Sequence, residues 1–198
     1  MGPIETLIDE HVLIRRFVDL ISASADEIES GRLPPREFFD LGVEFASRFA
    51  DVFHHRKEEH LMFVRLARIQ DGAIDGQIEA LKYQHVRGRA YVASIAASLD
   101  GYANGLPTEI DTVRESAAAY ASLLRHHIYT EDDVFFPMAR AALSDQDLSA
   151  LERQFEQVQD RQGDDIFVRY RQVVADMDQM LEGDLDELKV DQGEKGRA

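Results

Sequence analysis

The sequence HHRKEEHLMF at residues 54–63 decides how the rest of the chain is read. Its His54-x-x-x-Glu58 spacing sets an imidazole and a carboxylate about 40° apart round a helix and about 6 Å apart along it, so both can converge on one point. HIYTEDDVFFP at residues 127–137 repeats the pattern as His127-x-x-x-Glu131. Two such segments facing each other supply two imidazoles and two bridging carboxylates.

Working outward, the flanking residues keep helical spacing. Phe38, Leu41, Phe45, Phe49, Val52, Phe53, Met62, Phe63 and Leu66 mark one face of a long helix that opens after Pro34-Pro35 and runs to about Ile69. Before it, Leu7, His11, Ile14, Phe17, Val18 and Ile21 form the stripe of a first helix, from about Ile4 to Ser30, ended by Gly31. Asp71-Gly72 and Asp75-Gly76 read as a turn. A third helix follows with Leu81, His85, Gly88, Val92, Ile95 and Leu99, closed by Asn104-Gly105 and Pro107. The fourth runs from about Thr108 to the residues before Ser144. The expected fold is all-α: an up-down-up-down four-helix bundle over residues 1–143, with additional C-terminal helices. Residues 144–183 read as that helical extension, whose apolar face packs on the bundle or on a second subunit. The acidic stretch 184–198 is expected to be a disordered tail.

Composition narrows the chemistry. With 38 acidic and 22 basic residues the formal net charge is −16, and the resulting field repels nucleic acid and anionic membranes. There is no cysteine, so any bound metal must rest on His, Asp or Glu. The opening residues MGPIETLIDEH carry no basic segment followed by an apolar run, and no stretch is apolar enough to span a bilayer. A cytoplasmic protein without membrane or nucleic-acid partners is expected.

Each of the four bundle helices carries histidine on or beside its apolar stripe: His11, then His54 and His55, then His85, then His126 and His127. A carboxylate between Leu124 and Phe135 is costly to bury unless something compensates it, and a metal does. Mixed imidazole and carboxylate donors suit iron, manganese or zinc, not calcium or magnesium. Four His and two Glu are too many for one catalytic zinc and match two metals about 3.5–4 Å apart, bridged by both carboxylates. Idealised helical phase puts His55 and Glu59 nearer the centre of the stripe than His54 and Glu58.

Four stretches carry a resemblance: Asp9-Glu10-His11 with Ile14-Arg15-Arg16; His54-His55-x-Lys57-Glu58-Glu59-x-x-Met62-Phe63; Gln84-His85 with Gly88-Arg89; and His127-x-x-x-Glu131-Asp132-x-Val134-Phe135-Phe136-Pro137. In this order, over about residues 4 to 142, the chain resembles the hemerythrin-like (HHE cation-binding) domains. The resemblance implies a non-haem, carboxylate-bridged di-iron centre with ligands His11, His54, Glu58, His85, His127 and Glu131, the two glutamates bridging. Its motif register selects His54 and Glu58 over His55 and Glu59. The positions four away from His85 are Leu81 and Arg89, and the fourth-helix carboxylate is Glu131. Oxygen-carrying hemerythrins have a second His and an Asp there, which argues against reversible oxygen carriage.

The expected function is binding or reduction of a small oxidant, dioxygen, peroxide or nitric oxide, at two iron ions; manganese or zinc would suit the same donors. An enzyme of this kind would be a di-iron oxidoreductase, with no catalytic side chain assigned beyond the ligands. The alternative is an oxygen, redox or iron sensor, or an iron-handling protein, signalling through the C-terminal helices as a monomer or a homodimer.

Overall fold

Pro3 occupies the first turn of α1 (Pro3–Glu29), where a missing N–H leaves nothing unsatisfied. Beyond Ser30, Gly31 takes φ 86° and lets its own N–H and that of Arg32 return to the carbonyls of Ile28 and Glu27. After Pro34 and Pro35 comes α2 (residues 36–69). It is α-helical at Arg36–Phe45 and Phe63–Ile69 and π-helical at Ala46–His55 and Glu58–Met62. α3 (Asp75–Ala103) follows a turn with positive φ at Asp71 and Gly72. α4 (residues 107–142) starts at Pro107 and carries a π-helical stretch at Glu131–Phe135. α5 (Asp145–Gln162) is opened by a capping box between Ser144 and Asp147, and α6 (Ile166–Glu194) completes the chain.

The protein is described by a computed structural model over residues 2–69, 71–163 and 165–194, the backbone alone from 183. Among these residues there is no strand. α4 lies between α1 and α3, and α2 packs against α3 and α1, giving the up-down-up-down bundle expected. Asp75-Gly76, read as part of the turn, instead begins α3.

The C-terminal helices dock on the bundle itself. α5 packs against α1 and the π stretches of α2, and α6 lies along α1 and the start of α2. Their stripes, Leu151, Phe155 and Val158, then Ile166, Tyr170, Val173, Val174 and Met177, are buried there. The helix α6 continues to Glu194, past residue 184 where an acidic tail was expected. Leu185 and Leu188 extend the spacing of Met177 and Leu181 among good helix formers, which favours helix over tail. Residues 195–198 of that expected tail lie outside the described residues. No described helix is long and apolar enough to cross a membrane.

The core falls into two apolar clusters. One is built on Phe17, Phe38, Phe45, Phe49, Phe53, Leu99 and Tyr170. The other gathers Ile4, Leu7, Phe63, Leu66, Phe135, Phe136, Leu151 and Phe155 at the opposite end of the bundle. Between them lies a layer of buried His and Glu side chains.

Candidate metal centre

Where that layer crosses α2 and α4, both helices widen into π turns. An i→i+5 hydrogen bond fits an extra residue into the turn and brings side chains of neighbouring residues round toward one face, a geometry common at functional sites. One π stretch ends on His54 and His55; the others begin at Glu58 and at Glu131. α1 contributes His11 and α3 contributes His85, both from regular turns.

Two four-residue groups result, in each of which the donor atoms all lie within 4.8 Å of one another. His11, His54, Glu58 and Glu131 form one; His55, Glu58, His85 and His127 form the other, all buried. Glu58 belongs to both, with Oε1 3.4 Å from His54 Nε2 and Oε2 3.5 Å from His85 Nε2. Glu131 also spans them, its Oε2 lying 3.0 Å from His127 Nε2 and 3.4 Å from His11 Nε2.

The imidazole orientations restrict what can occupy the centre. His11 Nδ1 meets Asp132 Oδ1 at 2.8 Å, His54 Nδ1 meets Glu10 Oε2 at 2.8 Å, His85 Nδ1 meets Glu59 Oε1 at 2.8 Å, and His127 Nδ1 meets Gln84 Oε1 at 2.9 Å. All four partners are acceptors, so each Nδ1 carries a proton and each Nε2 is turned toward the centre, as a lone pair once any proton on it is displaced. Those Nε2 atoms face each other in pairs, His11 with His54 and His85 with His127, each at 3.0 Å. At that distance each pair needs a positive centre between its nitrogens, a proton in the metal-free protein or a metal ion in its place. The four carboxylate oxygens of Glu58 and Glu131 are likewise buried without a hydrogen bond. Burying them so is costly in a protein and natural beside a metal.

Protein charges polarise the two groups differently. Burial opposes protonation of His54, but Glu58 and Glu10 outweigh it and lift its pKa to about 10. His11 is raised too, because Asp132 and Glu131 outweigh its burial. In the other group burial and the neighbouring imidazoles push His85 well down, and burial also lowers His55. Glu131, despite burial, is held far below the carboxylate range by His127 and His11.

Behind the first group, Lys57 is 1 % exposed and pairs with Glu10, the carboxylate that holds His54. Its ammonium lies 3.4 Å from the centroid of Phe53 and 5.8 Å from that of Phe155 on α5. Behind the second group, Arg89 joins Glu59 and Asp51, at 2.6 Å and 2.7 Å. Asp51 in turn approaches His55 Nδ1 at 3.4 Å, and the His55 ring stacks on His85 at 3.8 Å. A pocket of about 340 Å³ opens beside His55, lined by Val43, Ala46, Asp51, Arg89, Val92 and Tyr120 among others.

All six residues expected from the sequence are brought together: His11, His54, Glu58, His85, His127 and Glu131. His55 joins them, while Glu59 turns away to orient His85. His126 is exposed. The orienting partners Glu10, Glu59, Gln84 and Asp132 were not singled out in the sequence as acting on the imidazoles. Each directly adjoins a site residue in the chain and serves an imidazole on another helix, a signal the sequence does carry.

Comparison with known proteins agrees with this geometry. Residues 2–139 match the hemerythrin HHE cation binding domain, and the chain belongs to that family. It is 25 % identical over 178 residues to the uncharacterized proteins Rv1995 of Mycobacterium tuberculosis (strain H37Rv) and Mb2018 of Mycobacterium bovis, a span covering 89 % of this chain and 69 % of each relative. No solved structure matches the chain.

Proposed function

We propose that this cluster holds two iron ions and that the protein binds or reduces a small oxidant, dioxygen, peroxide or nitric oxide, there. One observation carries the reading: four Nε2 atoms that meet in pairs at 3.0 Å beside four buried glutamate oxygens that have no hydrogen bond. His11 and His54 would hold one ion and His85, His127 and His55 the other, with Glu58 and Glu131 shared. When bound, two ferrous ions would supply the two electrons that hydrogen peroxide takes up with two protons to give two waters, an external thiol or quinol restoring them. The chain's own residues fix the imidazole tautomers through Glu10, Asp132, Glu59 and Gln84 and keep bulk water out with Phe63, Phe135 and Phe136. Manganese or zinc fits the same donors, and zinc would remove the redox chemistry.

Elemental analysis of protein purified without chelator, paired with its ultraviolet-visible spectrum before and after peroxide, tests this. About two irons per chain with near-ultraviolet charge-transfer bands is the expected result. Failure to bind metal after anaerobic iron loading overturns it.

A sensor role is the second reading, motivated by the path from His54 through Glu10 and Lys57 to Phe155 on α5. It calls for a change in the protease sensitivity of residues 145–182 on oxidation, without catalytic loss of peroxide. Sustained peroxide consumption with unchanged protease sensitivity would count against it.

A further inference from the structure

The pocket beside His55 is larger than any of the small oxidants requires. At about 30 Å³ per liquid water, its 340 Å³ would hold some eleven waters, whereas dioxygen and hydrogen peroxide each have two heavy atoms. Its volume lies in the range of small-molecule sites. Ala46, Ser47, Gly88, Ala93 and Ala96 leave it open, Val43 and Val92 make its walls apolar, and the imidazole of His55 forms part of the lining.

Two hydroxyls in its lining, those of Ser47 and Tyr120, have no hydrogen-bond partner among the described residues, and Tyr120 is the buried one. Tyr120 is 3 % exposed, lines the pocket, and makes no hydrogen bond to any described residue. Its oxygen is not one of the sealed side-chain atoms left without a partner, so it opens onto the pocket, where a ligand can accept from it. Burial and the nearby Asp51 carboxylate raise its pKa, so it stays a donor. The cation at the rim is not free to recruit an anion, because Arg89 is already shared between Asp51 and Glu59. The occupant suited to this lining is therefore neutral, with an apolar body and one hydrogen-bond-accepting oxygen head.

We propose that this pocket is a binding site for a neutral organic hydroperoxide, its alkyl or aryl body against Val43, Ala46 and Val92 and its oxygen head between Tyr120 and His55. The proposal rests on the reading of a metal centre at His55 and names the substrate class for it. Reduction would take two electrons, which a ferrous pair would supply, and two protons, cleaving the O–O bond to give the alcohol and one water; the alcohol fits the same site, which allows binding to be measured without turnover.

The test is calorimetric titration of the metal-loaded protein with 2-phenyl-2-propanol, the alcohol of cumene hydroperoxide. Saturable binding at about 1 mM or tighter is expected, about tenfold weaker in Ala96→Phe or Ala93→Phe and about threefold weaker in Tyr120→Phe. Ala93 and Ala96 are exposed at the mouth, so these variants should keep the wild-type circular dichroism and Tm. Phenylacetate, of similar size but charged, should bind at least about tenfold more weakly than the alcohol. No saturable binding to the wild type, or binding that both mouth variants leave unchanged, overturns the site. Reduction of hydrogen peroxide without alcohol binding also overturns the pocket while leaving the metal-centre reading intact. Alcohol binding that the mouth variants abolish, in a protein that turns over no peroxide, supports the pocket and defeats the peroxide reading alone.

Discussion

The two halves of the centre are built from the same donors and enclosed differently. Around His11 and His54 the protein is closed: Phe136 stacks on His11 at 5.7 Å, and Lys57 and Glu10 are sealed beneath Phe155. Beside His55 it opens into the pocket, with Arg89 and Asp51 partly exposed in its lining and Glu59 paired to Arg89 behind them. Carboxylates favour a cation in the closed half, while burial and neighbouring imidazoles keep the open half neutral. Anchoring chemistry and ligand access are thus assigned to opposite faces of one polar layer.

Removing Lys57 should expose the difference most sharply. Lys57→Ala leaves Glu10 Oε1 buried without its cation, His54 still holding Oε2, at a cost of about 3 kcal/mol in chemical unfolding. Lys57→Met with Glu10→Gln should recover most of that. Arg89→Ala in the open half should cost no more than about 1 kcal/mol, since water reaches its partners. Equal losses at the two sites would erase the distinction between the halves.

Single imidazole deletions come next. His54→Ala should weaken metal retention about 100-fold and His55→Ala about tenfold, measured by competition with a chelator. The reverse order would make the pocket wall the principal anchor.

Acid and alkali should strike different halves of the metal-stripped protein. The raised pKa of His54, about 10, lies above its value in an unfolded chain. Its contribution is therefore complete below about pH 6.5 and is lost as pH rises through 10. Asp51 and Glu59 are each depressed to about 2, against the pull of burial, by their imidazole partners and Arg89. Their contribution is complete above about pH 5 and is lost as pH falls through 2. Tm measured across pH, with His54→Asn and Arg89→Ala flattening the alkaline and acid limbs respectively, checks both signs.

The smallest effect belongs to Gly88 in the pocket floor. A Cβ there would lie 3.6 Å from Tyr120 and 3.7 Å from Leu124, ordinary contact distances. Gly88→Ala should therefore stabilise α3 by about 0.5–1 kcal/mol in thermal unfolding.

Much of this was legible because side chains that could hold a metal inside a bundle obey two readable rules at once, fixed helical spacing and burial beside apolar residues. Those rules, with the family resemblance, located His11, His54, Glu58, His85, His127 and Glu131. Idealised phase placed His55 toward the centre, where the structure also groups it, but misplaced Glu59 because it assumes an α-helix and α2 is π-helical through Ala46–His55 and Glu58–Met62. It paired His55 with Glu59, whereas the structure groups His55 with Glu58. The apolar stripes of α5 and α6 were visible, but a stripe does not state what it covers, and the bundle rather than a second subunit receives their described residues. Tyr120 read best as a core residue; its place in a pocket depends on small side chains on two other helices.

The π stretches also set a rule about chain length. Each packs more residues into the same rise than an α-helix does, so the segment between Phe45 and Phe63 is matched to the centre by residue count as well as by residue type. Deleting one residue there would let a π turn relax to α geometry with the flanking segments near their present register, and would remove the extra residue that brings His54, His55 and Glu58 to one face. The Phe63–Leu66 face would keep its partners, while the His and Glu donors would no longer converge. Insertions and deletions in this stretch should be more damaging than most substitutions, even where every ligand is kept.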